Sequence, residues 1–467
     1  MNDYAMLING RLVQGDLTME VMNPATETLV AIAPRASISQ LDHAVSAAKA
    51  AFPSWSRIPI GDRRTVLQRI AAVVEANADM LGRILTQEQG KPLTDAVQEV
   101  RGAAGVFRAI SQMELPARII EDSTQRRVEV HRRPLGVVAA IVPWNFPIAL
   151  MAFKVPPALL AGNTVVIKPA ATTPLSTLKF GELISDVVPA GVLNVIADAN
   201  DLGGALSAHP DIRKVSFTGS TATGKKVMAN AADTLKRLTL ELGGNDAAIV
   251  LGDVEPSAVA PKIFQQAFRN SGQICIAVKR VYAHASIYDE LCNKLAMLAD
   301  AAVVGDGLEQ GVQIGPIQNR AQFERVRELI DDAKENANVI AGGLVEGRSG
   351  YFVRPTIVRD IADDARLVKE EQFGPILPVL KFTDIDDVVR RVNDSPWGLG
   401  GSVWSNDENR ALEVAGQVEA GTVWINSHAA LAPNVPFGGS KQSGFGVEFG
   451  DEGLAEFTQL QVISIPR

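Results

Sequence analysis

Residues 137–168 read VVAAIVPWNFPIALMAFKVPPALLAGNTVVIK. A continuous apolar run, VVAAIV at 137–142, leads through a helical stretch near 151–161 to a second short run, TVVIK at 164–168. Near-continuous apolar strands joined by helices mark a parallel sheet covered on both faces. The alternation continues downstream: VLNVIA (192–197), KVSFT (214–218) and LTLEL (238–242) read as strands, with helices near 174–187, 201–208 and 221–232. A second cycle begins at AAIVL (247–251) and runs through KRVYAH, FVRPTIV, ILPVLKF, GSVWS and GTVWIN. The fold class is α/β, with two such domains in tandem. Upstream, helical periodicity at 40–52, 60–89 and 94–113 precedes any strong buried strand.

Two segments stand apart from this pattern. EDSTQRRVEVHRRPLG (121–136) alternates with period two and reads as an exposed hairpin. The terminal LQVISIPR reads as a strand with no obvious partner nearby. Two such strands point to pairing between subunits by sheet extension.

Composition narrows the function classes. The 467 residues carry 45 basic and 53 acidic side chains, a net charge of −8, which gives no electrostatic reason to expect nucleic acid or an anionic membrane as partner. Apolar residues at 46% and charged residues at 21% are ordinary for a globular protein and exclude disorder as the main state. The opening MNDYAMLINGRLVQGD lacks the basic start and apolar core of a secretion signal, and apolar runs break before membrane-spanning length. Only two cysteines occur, Cys275 and Cys292, too few for a disulfide framework or a four-cysteine zinc site. A cytoplasmic setting is the expectation. Five scattered histidines without HExxH or CxxC give no reason to expect a catalytic metal.

Chemistry must therefore come from other side chains. KVSFTGSTATGKK places a strand, a turn and a helix in order, with Gly219 and Gly224 bracketing hydroxyls of Ser220, Thr221 and Thr223. Such a turn is either a capped helix start or a phosphate cradle, since helix N-termini attract anions. Lys168 closes TVVIK at a strand's carboxyl end, where open α/β sheets bind ligands. Cys275 lies at the edge of an apolar run in RNSGQICIAVKR, whereas Cys292 has helical spacing and reads as packing. A thiolate is well suited to attack a carbonyl carbon. Glu241 closes the LTLEL strand before Gly243 and Gly244, and a carboxylate buried there needs a task or a partner. Next to Cys275 it could act as a base. Asn145 in PWNFP is flanked by aromatic and proline residues, which would fix its amide as an oxyanion donor or simply make a rigid loop.

Taken together, PWNFP (143–147), KPA (168–170), FTGST (217–221), ELGGN (241–245), GQIC (272–275), EQFGP (371–375) and PFGGSKQSG (436–444) resemble the aldehyde dehydrogenase superfamily in order and spacing, over essentially the whole chain. The resemblance implies a Rossmann-like cofactor domain (1–120 and 137–242), a catalytic domain (243–435) and oligomerisation elements (121–136 and 436–467). It implies a homodimer or homotetramer acting on a small aldehyde with NAD or NADP. Cys275 would form a thiohemiacetal and then a thioester, with the oxyanion held by Asn145 and the Cys275 backbone N–H, and Glu241 would activate water. Lys154 and Glu448 match a proton-relay pair. Lys168 and Trp144 would serve the adenosine, Gly219, Ser220 and Gly224 the pyrophosphate turn, and Leu242, Glu371 and Phe373 the nicotinamide end. The presence of Glu241 favours hydrolysis over transfer to CoA, because the acylating branch commonly lacks this carboxylate.

Departures bear on specificity. NAD-preferring relatives often carry glutamate where this chain has Ala171, so tolerance of NADP is expected. Arg269 matches an arginine that binds the distal carboxylate in succinic-semialdehyde relatives, but Phe153 replaces the second arginine of that pair. The bland reading of Arg269 is a structural salt bridge. Ile274 and Ile276 flank the nucleophile with bulky apolar groups. The expected substrate is an uncharged aliphatic or aromatic aldehyde. Succinic semialdehyde is the alternative within the class, and a silent nucleotide-binding or structural protein the alternative outside it.

Overall fold

The computed structural model describes residues 4–345 and 347–467, so the first three residues of the opening stretch lie outside the described residues. Among them, the chain builds an eight-stranded and a seven-stranded sheet. Five parallel strands form the heart of the first: Leu193–Val195, Thr164–Lys168, Val137–Ile141, Ile212–Thr218 and Arg237–Glu241, side by side in that order. Val137–Ile141 and Thr164–Lys168 are buried at every residue, which is why they read as unbroken apolar runs. The connection order reverses between Val137–Ile141 and Ile212–Thr218, so a crevice opens beyond their carboxyl ends.

The second sheet runs in the order Asn338–Leu344, Val353–Arg359, Ile376–Phe382, Arg280–His284, Ala247–Val250, Gly400–Trp404 and Thr422–Ile425, all parallel except the first. Each sheet has its own core, and a smaller apolar cluster of Ile276, Leu399, Trp424, Phe437 and Phe449 lies around the loop that carries Cys275.

Several sequence expectations need correction. A buried strand, Met6–Ile8, does precede the helices and joins the first sheet antiparallel to Leu193–Val195. Three residues are too short to show a period. Leu17–Met22 and Leu29–Arg35 form a further ribbon that carries no clean alternation. The 60–89 stretch is two helices, Ile60–Ala76 and Ala78–Gln89, broken at Asn77. The helix expected from 151 starts at Pro147, because proline at a first-turn position surrenders no needed hydrogen bond. The exposed hairpin is Arg118–Asp122 with Arg126–Pro134, shifted from 121–136. The C-terminal strand, Thr458–Pro466, is not an orphan: it pairs antiparallel with Arg126–Pro134 over its whole length. The partner is remote in sequence, so no local signal could reveal it.

No helix among the described residues is long and apolar enough to cross a membrane.

Candidate active site

The loop that carries Cys275 begins with a backbone few residues adopt. Asn270, Ser271 and Gly272 have φ of 51°, 57° and 69°, a left-handed run that turns the chain sharply after the Pro256–Phe268 helix. A Cβ on Gly272 would stand 2.3 Å from the carbonyl oxygen of Gly374, so only glycine fits. Three residues later comes Cys275, half-buried. Lys279 Nζ donates to the carbonyls of Ile274 (2.6 Å) and Cys275 (2.7 Å) and holds the loop from below. Burial pushes the Cys275 thiol up to about 12; the Lys279 ammonium opposes this and the Glu371 and Glu241 carboxylates add to it.

Asn145 reaches the same loop. Its Nδ2 donates to the carbonyl of Gln273 at 2.9 Å, leaving one amide hydrogen uncommitted by that bond. Its own carbonyl accepts from Lys91 Nζ (2.9 Å) and Asn270 Nδ2 (3.1 Å). Lys91 is fully buried against Glu99 at 2.5 Å, and Glu99 accepts the N–H groups of Ile148 and Ala149 at the start of the Pro147–Ala161 helix. PWNFP is therefore held by a buried ion pair that grips the Asn145 carbonyl at its centre and the helix start just after it, a constraint invisible in the motif itself.

Glu241 ends its strand 3% exposed, and neither carboxylate oxygen has a hydrogen-bond partner. Burial raises its carboxyl well above the usual range, the nearby Glu448 carboxylate adds to this, and Lys154 opposes it. Lys154 and Glu448 are themselves paired at 2.6 Å, both buried.

Two cavities meet at Cys275, sharing only Asn145, Thr218 and Cys275. The first, about 410 Å³, lies at the sheet crevice and takes in Trp144, Gly219, Ser220, Leu242, Glu371 and Phe373. Ser220 caps the Thr221–Ala231 helix, its Oγ accepting from Thr223 N–H at 3.3 Å, and directs a helix N-terminus at this space. Trp144 and Phe373 meet edge to face with centroids 5.3 Å apart. Glu371 accepts from Gly244 N–H at 3.0 Å, and a side chain on Gly243 would collide with its carboxylate. Burial also raises the Glu371 carboxyl. Gly224 and Lys168 do not line this cavity: Gly224 is buried against Leu242, and Lys168 is paired with Asp198 at 2.5 Å.

The second cavity, about 610 Å³, is walled by Phe146, Leu150, Phe153, Ile274, Ile276, Phe437 and Phe449, with Glu241, Arg269 and Glu448 on its polar side. Phe153 packs on Phe449 with centroids 4.3 Å apart. The salt bridge expected of Arg269 is not formed: the side chain is exposed, has no carboxylate partner among the described residues, and stands 5.9 Å from the Phe146 ring centroid. Cys292 is buried in the second sheet's core, as its helical spacing indicated.

Sequence reading missed Lys91, Glu99, Thr218, Lys279 and the Phe437–Phe449 wall. Lys279, four residues after the cysteine, was legible only as a charge ending an apolar run. Among the described residues no group of three His, Cys, Asp or Glu side chains is placed to hold a metal ion.

Comparison with known proteins gives a matching family model, the aldehyde dehydrogenase family, over residues 12–463. A phenylacetaldehyde dehydrogenase of Pseudomonas fluorescens is 40% identical across 99% of this chain and 96% of its own length. A mitochondrial succinate-semialdehyde dehydrogenase of Arabidopsis thaliana is 38% identical across 98% and 88%. An NADP-dependent enzyme of E. coli superposes with a TM-score of 0.97 at 35% identity, over 100% of this chain and 98% of that one.

Proposed function

The chain belongs to the aldehyde dehydrogenase family, NAD(P)-dependent oxidoreductases that act on aldehydes, and from that premise we propose that it converts an uncharged aliphatic or aromatic aldehyde to the free acid. The observation that carries the substrate class is the aromatic wall of the second cavity, with Phe153 against Phe449 beside Cys275. Such a surface favours an apolar chain or ring, and Arg269 on the polar side is the partner it offers a carboxylate.

The first cavity fits a dinucleotide. Gly219 and the Ser220-capped helix start suit a pyrophosphate, and Glu371 suits ribose hydroxyls. When bound there, the nicotinamide accepts the hydride. Cys275 Sγ attacks the aldehyde carbon, and its proton passes to Glu241. The remaining Asn145 amide N–H and the Cys275 backbone N–H hold the oxyanion. Departure of the hydride leaves a thioester on Cys275. Once the thiol's proton has been passed on and Glu241 is again a carboxylate, it takes a proton from water as the water attacks that thioester, and the thiolate leaves with the acid released. Lys154 and Glu448 sit where they can pass the proton on.

Ala171 supports use of both NAD and NADP, whereas the Asp198 carboxylate on Lys168 argues against a strong pull on a 2′-phosphate. The exposed Arg269, free of any carboxylate, favours a second reading, succinic semialdehyde as substrate. A cytoplasmic homodimer or homotetramer remains our reading of the setting and assembly. The test is the ratio of kcat/KM for succinic semialdehyde over hexanal, measured with NAD and with NADP. A ratio below one supports the apolar reading, and a ratio well above one transfers the assignment to Arg269.

A further inference from the structure

Beneath Glu241, one face of the first sheet is lined with polar groups that no core of this kind needs. Lys214, Ser216 and Thr218 alternate along Ile212–Thr218, and Thr239 and Glu241 along Arg237–Glu241. The parallel register sets Ser216 beside Thr239 and Thr218 beside Glu241, so all five share a face. Every one is at least nine-tenths buried. The Ser216 and Thr218 hydroxyls and both Glu241 oxygens have no hydrogen-bond partner within the protein. Leaving such groups dry is costly, so a row of them calls for a task.

The row has two ends. At one, Thr218 faces both cavities beside Cys275. At the other, Lys214 Nζ donates to Thr239 Oγ1 at 2.6 Å and to Glu456 Oε2 at 3.5 Å, and Thr239 Oγ1 donates to the same Glu456 oxygen at 3.5 Å. Glu456 is half-buried, its side chain 31% exposed, and meets solvent. Burial lowers the Lys214 ammonium to about 8, against the pull of Glu456, so it can trade protons near neutrality.

We propose that this strand face is a proton exit, carrying the proton taken up by Glu241 through the Thr218, Ser216 and Thr239 hydroxyls to Lys214, and from there to Glu456 and bulk water. Its steps use none of the Lys154–Glu448 pair, although the charges of that pair act on both Lys214 and Glu241. Each hydroxyl accepts one proton and passes on another, and in this proposal water sits between rungs about 7 Å apart, where the unpaired Ser216 and Thr218 hydroxyls offer it partners. Lys214 accepts as the neutral amine and returns to it on donating to Glu456. No electron moves, and Glu241 ends as the carboxylate ready for the next water.

The inference rests on Glu241 as the base. Its test is the rate at which the acyl group leaves Cys275 in a single turnover, followed by quenching and weighing the protein, in Lys214→Met, Ser216→Ala and Glu456→Gln. The burst of reduced cofactor should keep its wild-type rate and amplitude, which also shows that each variant folds. Acyl release should slow about tenfold in Lys214→Met, with a larger solvent isotope effect and partial recovery in concentrated imidazole buffer. Ser216→Ala and the surface change Glu456→Gln should slow it less, in the same direction. If Glu241→Gln slows release while all three variants keep wild-type rates, the exit is elsewhere and the base assignment stands. If Glu241→Gln also releases at the wild-type rate, the reading on which this rests fails first.

Discussion

At the scale of single residues, burial governs both reacting groups. Cys275 and Glu241 are held on the proton-bearing side of their ordinary balance, the thiol by desolvation and the carboxyl by desolvation with the Glu448 charge beside it. As the proposed base, Glu241 works in its carboxylate form. Its raised pKa therefore leaves it idle at low pH, and acyl release should quicken as pH rises through a value well above the usual carboxylate range. In Glu241→Gln, release should slow roughly a hundredfold or more and lose this pH dependence, while Cys275→Ala should abolish oxidation altogether. A pH-rate profile of single-turnover release checks both, and an unchanged profile in Glu241→Gln would remove its role. These two residues were readable in the sequence because each sits where an apolar run meets glycine, a costly place for a polar group. Lys91 and Glu99 were not, since their meaning lies in contacts with Asn145 and the helix start that spacing does not encode.

At the scale of elements, the loop from Asn270 to Gly272 decides where the thiol points. Gly272→Ala would push a methyl into the Gly374 carbonyl at a φ of 69°, a strain of about 1–3 kcal/mol. A lower Tm and a reduced kcat are expected, with weakened cofactor binding as well, because Gly374 directly follows Phe373 in the wall of the first cavity. Calorimetry with a cofactor titration measures both, and a wild-type Tm would show that the loop gives way easily. The interior parallel strands were legible because burial on both faces makes them uniformly apolar. Met6–Ile8 and Leu17–Met22 were not: the first is too short, and the second is half exposed.

At the scale of the whole molecule, Thr458–Pro466 lies at the rim of its three-stranded sheet and leaves Leu460 and Val462 60% and 62% exposed. Ile119 and Ile120 are exposed as well, on Arg118–Asp122 at the sheet's opposite rim. Strand edges of this kind invite another chain. Leu460→Lys combined with Val462→Lys should shift sedimentation toward the monomer with little change in secondary structure; an unaltered assembly would direct attention to another surface. The sequence carried the suspicion of pairing but not the strand's intrachain partner, which lies across most of the chain.

The meeting of two cavities at Cys275 also governs traffic. Their linings share only Asn145, Thr218 and Cys275, so on the proposed reading the spent nucleotide and the finished acid need not queue behind one another, and neither guest has to vacate its berth for the other to dock. An aromatic carboxylate and a nucleotide fragment should lodge together, each leaving the other's affinity nearly intact in a competition titration. Mutual exclusion would mean that the partition at the cysteine is a shared doorway.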